Sequence, residues 1–72
     1  MSKETRFAVF CLESYKQHRH LTGRDTAKLF FDYGVLDYLC TFYDVLHTTG
    51  EAYINNDIDR YLESRGAILT VR

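Results

Sequence analysis

The sequence predicts a mainly α protein, a small bundle of three to four helices ending in a short C-terminal extended strand. Three observations carry that expectation. Proline is absent from all 72 residues, and the four glycines, Gly23, Gly34, Gly50 and Gly66, are spaced so that each can punctuate a helical segment. Apolar residues recur at helical spacing through most of the chain. The composition, 46% hydrophobic and 15% aromatic, is far from the low-hydrophobicity, high-charge profile of disorder. At this length residues 1–72 are expected to form one domain that buries only about 60% of the surface its unfolded chain exposes.

The first helix is expected over residues 3–19 with Ser2 as its N-cap. It carries Phe7, Phe10, Cys11 and Ser14 on one face and Ala8, Leu12 and Tyr15 on another. The second, residues 23–33, opens on Thr22 with Asp25 three residues on, a capping box in which Asp replaces the usual Glu. It runs through Ala27, Leu29, Phe30 and Phe31 to Gly34, expected in the left-handed C′ position.

The third helix, residues 35–47, is apolar on most sides, and Asp37, Thr41 and Asp44 form its one narrow polar stripe. Such a helix belongs at the centre of the bundle or partly in an interface. The fourth is expected over residues 56–65, with Asn55 or Asn56 as N-cap and Asp57 and Asp59 in the first turn against the helix dipole. Ile58, Tyr61 and Leu62 would face inward. The tail AILTVR, residues 67–72, is rich in β-branched residues and lacks cap signals, so it reads as an extended strand.

Several function classes fall away on chemistry. Cys11 and Cys40 are too few for a disulfide framework and lie in apolar patterns, as reduced thiols of a cytoplasmic protein do. The charged start MSKETR leads into FAVFCL, too short for a signal core or a bilayer span, so no membrane association is expected. No metal or other cofactor is expected either. His18 and His20, two apart, point to nearly opposite sides of a helix, neither cysteine has a partner at zinc spacing, and Asp57 and Asp59 lack the further oxygen ligands of a calcium loop.

The stretch YDVLHTTGEAYINND, residues 43–57, raises the question of catalysis, because His47 lies three residues beyond Asp44. No Ser or Cys nucleophile with a local signature and no phosphate-binding loop accompanies them, whereas a histidine at a helix C-terminus can bond a free carbonyl there. His47 is therefore read as a helix-end residue, and the protein as no enzyme.

Charge is distributed unevenly. Residues 1–28 carry a net +3, residues 29–59 hold six acids and no Lys or Arg, and residues 60–72 return +2. These sets can pair with one another or polarise the molecule for docking. A nucleic-acid-binding regulator would have to use Lys16, Arg19, Arg24 and Lys28, because the third helix would present Asp37 and Asp44 to phosphate.

FAVFCLESYK, LTGRDTAKLFFDYGVLDYL and YDVLHTTGEAYINNDID together resemble a family of short bacterial proteins of unknown function, over about residues 5–64. The resemblance implies a small protein often encoded beside a predicted ADP-ribosyltransferase-like toxin, hence an antitoxin-like or accessory partner, and it brings no catalytic residues. Both lines lead to a protein–protein interaction module that binds a partner chain or itself, with homo-oligomerisation included. Its expected contact residues are Asp37, Tyr38, Phe42, Tyr43, Asp44, His47 and Tyr53, aromatic anchors with a charged rim.

Overall fold

The computed structural model describes residues 1–67, and among these the chain forms five helices: α1 (Lys3–Arg19), α2 (Gly23–Asp32), α3 (Val35–Thr41), α4 (Tyr43–Leu46) and α5 (Glu51–Ser64). The mainly helical class is as expected, while the extended strand read for residues 67–72 lies, apart from Ala67, outside the described part of the chain.

Helix α1 is the central element, packing against α2, α3 and α5. It begins where Ser2 caps it, the hydroxyl accepting from the Thr5 amide at 3.1 Å. It ends with His20 in the left-handed conformation, φ 57°, whose amide bonds back to the Gln17 carbonyl. Helix α2 is capped in the same way by Thr22, which accepts from Asp25 N at 3.0 Å. Gly34, φ 67°, then turns the chain from α2 into α3.

The expected third helix over residues 35–47 is broken at Phe42, φ −103° and ψ 22°, into α3 and the single turn of α4. No Gly or Pro causes the break. Cys40, Thr41, Phe42 and Tyr43 are consecutive residues of modest helix propensity, and Tyr43 is drawn to α1, its ring edge-on to Phe7 at 5.3 Å.

The last helix starts at Glu51 with Gly50 as N-cap, five residues before the expected start at 56. The apolar stripe Ile54, Ile58 and Leu62, spaced by four, runs straight through the proposed cap and is almost fully buried. Asn55 is a buried interior residue rather than a cap, because its amide donates to Ser14 Oγ of α1 at 3.2 Å. Asp57 and Asp59 consequently sit in mid-helix. At the far end Gly66, φ 84°, closes α5, and the Ala67 amide reaches back to the Leu62 carbonyl at 3.0 Å.

One core unites these helices: Ala8, Cys11 and Tyr15 of α1, Phe30 of α2, Val35 and Leu39 of α3, Leu46 of α4, and Ile54, Ile58 and Leu62 of α5. Polar bonds pin the α1–α5 seam beside it. Tyr15, fully buried, donates to Asp59 Oδ1 at 2.6 Å, and the same carboxylate takes Arg19 at 3.3 Å and His18 Nε2 at 3.0 Å. Beside it Ser14 donates to the carboxylate of Glu51, two turns earlier on α5. Both cysteines are free thiols, Cys11 buried and Cys40 half-buried. No helix among the described residues is long and apolar enough to cross a membrane.

Candidate functional site

Helices α3 and α5 run antiparallel, and their pairing is written in two tyrosine bonds. Tyr61 donates to the carbonyl of Tyr33 at 2.8 Å, beside the start of α3. Tyr38, one turn further along α3, donates to Asp57 Oδ2 at 2.6 Å, one turn earlier on α5. Burial, reinforced by the Asp57 carboxylate, pushes the Tyr38 phenol from its ordinary 10.0 up to about 12, so it is a fixed donor at neutral pH.

Above these bonds the helices leave an open groove of about 310 Å³, lined by Gly34, Asp37, Tyr38, Thr41 and Phe42 on one side and by Tyr61 and Arg65 on the other. Its floor is aromatic. Tyr38 packs on Tyr61 with ring centroids 4.3 Å apart and on Phe42 at 5.1 Å. Phe42 is 46% exposed and Tyr53, on the same side of α5, is 52% exposed. Phe42 packs on Tyr38, which packs in turn on Tyr61, so these three rings form a continuous aromatic surface, whereas Tyr53 packs on no other ring among the described residues. Val9, Phe10 and Phe31 are exposed as well, but none of them packs on another aromatic ring among the described residues.

The seven residues picked out from the sequence therefore separate into two groups. Asp37, Tyr38 and Phe42 line the groove, and Tyr53 lies outside the lining, two turns before Tyr61 on the same face of α5. Tyr43, Asp44 and His47 belong to α4, where a different job is visible. The His47 ring stacks on Tyr43 at 4.3 Å and its Nδ1 donates to the Tyr43 carbonyl at 2.7 Å, while Lys3 of α1 lies 5.5 Å from the Tyr43 ring centroid. That arrangement stops α4 and fastens it to α1. Asp44 is exposed and makes no ion pair among the described residues.

Tyr61 and Arg65 were not among the expected contacts, yet they form one wall of the groove. The signal was present as Tyr53, Asp57, Tyr61 and Arg65, four residues spaced by four, which share one helix face. It becomes legible only when α5 is started at Glu51, because a helix begun at residue 56 leaves Tyr53 outside it.

The basic residues considered for nucleic acid are mostly engaged. Lys16 pairs with Glu13 at 3.2 Å, Arg19 with Asp59 at 3.3 Å and Lys28 with Asp32 at 2.9 Å, leaving Arg24 without an ion pair among the described residues. Such local neutralisation weakens the field a phosphate backbone would meet. Among the described residues no group of three or more His, Cys, Asp or Glu side chains is arranged to hold a metal ion.

Comparison with known proteins returned no match among curated proteins and none among solved structures. A family model described as a protein of unknown function, DUF3791, matches residues 6–65, nearly the whole of the described chain, and the protein belongs to that family.

Proposed function

We propose that this protein is a non-catalytic interaction module that docks a partner protein in the groove between α3 and α5. The observation that carries the reading is the packed aromatic cluster of half-buried Tyr38 and Tyr61 with exposed Phe42, facing an open groove on a chain of 72 residues. Aromatic side chains supply large contact area at low conformational cost and dominate interface hot spots, and Asp37 and Arg65 give the groove a charged rim. The partner is the product of a neighbouring gene, for which this chain acts as an accessory or antitoxin-like subunit; the sequence resemblance supports that assignment.

The test is co-expression with the adjacent gene product, followed by co-purification and light scattering. The native chain is expected to leave the column as a complex of fixed stoichiometry. Phe42→Ala with Tyr53→Ala is expected to abolish the complex while the helical circular dichroism stays native, because both rings are about half exposed. A complex that survives this double substitution, or a native chain indifferent to its neighbour, contradicts the reading.

A further inference from the structure

One wall of the groove carries a cation. The guanidinium of Arg65, the C-cap residue of α5, lies 4.4 Å from the centroid of the Tyr61 ring, whose own neighbour Tyr38 extends the aromatic floor. Arg65 is exposed and forms no ion pair among the described residues, and its guanidinium lies over the ring face. Asp37 lines the groove and Asp57, outside the lining, accepts from the groove residue Tyr38; neither carboxylate makes an ion pair among the described residues. They belong to the stretch of residues 29–59, which contains six acids and no Lys or Arg.

We infer that the groove takes an arginine side chain presented by a basic segment of the partner, and that this arginine displaces Arg65 from the face of Tyr61. The inference rests on the docking reading above and names the chemistry it requires. A guanidinium suits the site better than an ammonium because it is planar, weakly hydrated and able to stack on a phenol while forking to a carboxylate. Arg65 shows the stacking half of that recognition, and Asp37 in the lining supplies the carboxylate for the other half once Arg65 leaves the Tyr61 face. Until then the resident arginine competes with any partner at the high local concentration its tether gives it.

The experiment uses the isotope-labelled full chain and two synthetic probes, acetyl-Ala-Arg-Leu-Arg-Ala-amide and its twin with citrulline in place of arginine, followed by amide chemical shifts at low salt. Citrulline keeps the shape and removes the charge. The arginine peptide is expected to move the signals of Asp37, Tyr38, Thr41 and Tyr61, and the citrulline peptide to leave them in place.

Arg65→Ala is expected to tighten binding of the arginine peptide about two- to fivefold, the factor by which an exposed cation–π contact favours the resident side chain. Arg65→Lys, which keeps the charge, is expected to bind more tightly than the native chain and less tightly than Arg65→Ala. Asp37→Asn is expected to weaken binding severalfold. Shifts outside the groove, equal response to citrulline, or Arg65→Lys indistinguishable from the native chain would overturn the inference. Peptide binding at the groove together with a partner complex indifferent to Phe42→Ala and Tyr53→Ala leaves the cation site and removes the docking reading. Loss of that complex without peptide binding removes the arginine assignment alone.

Discussion

Tyr15 shows how much a single residue contributes in so small a core. Its ring is fully buried against Phe30, and its hydroxyl meets Asp59 from the opposite helix, so one side chain serves both apolar packing and a charge-assisted bond. Asp59 keeps Arg19 and His18 when that bond is removed, so Tyr15→Phe is expected to cost only about 1.5 kcal/mol, the lower end for a bond to a charged group, read from urea unfolding. A change of less than about 0.5 kcal/mol would show that the bond is idle. Burial, aided by the Glu51 charge, raises the Cys11 thiol from 9.0 to about 12, just as burial and Asp57 raise Tyr38 from 10.0 to about 12. Each group binds its proton more tightly folded than unfolded. Their stabilisation is therefore complete below about pH 9 and is lost as pH climbs through the window from 9 to 12. Thermal melts at rising pH should show the midpoint falling across that window, and a flat profile would contradict the burial of these groups.

The helices differ in how far they could be read from sequence, and the difference is one of range. Ser2, Thr22 and Gly34 act through backbone within a few positions of themselves, so the ends of α1 and α2 follow from local chemistry. Asn55 looked like a cap because asparagine often is one. Its actual partner is Ser14, 41 positions away, and no local rule supplies that contact. The break at Phe42 is likewise decided by tertiary contact, through the packing of Tyr43 on Phe7. Gly34 makes the α2–α3 turn testable. A Cβ there would come 3.7 Å from the Tyr61 hydroxyl, an ordinary contact, so Gly34→Ala is expected to cost about 1–2 kcal/mol through its left-handed backbone rather than through a clash. Asn, which tolerates that backbone better, should recover part of the loss; equal destabilisation by Ala and Asn would point to crowding of the groove end instead.

Across the whole molecule, the charge map and the aromatic surface acquire different meanings. The basic first third and acidic middle of the sequence meet at Arg19 with Asp59, at Lys28 with Asp32 and along the polar seam of α1 with α5, so part of the polarity visible in the sequence is spent internally. What stays open is the groove, three of whose seven lining residues, Asp37, Tyr38 and Phe42, the sequence marks as aromatic anchors and acidic rim on the third helix. The other wall stayed hidden because Tyr61 counted as a core residue and Arg65 as a helix end, and only the antiparallel pairing of α3 with α5 brings them together. The measurement that tests the account most directly is amide hydrogen exchange along the chain, alone and after co-expression with its neighbouring gene product. Binding in the groove predicts added protection confined to residues 34–42 and 53–65. Protection on the outer faces of α1 and α2 instead, or none anywhere, would contradict it.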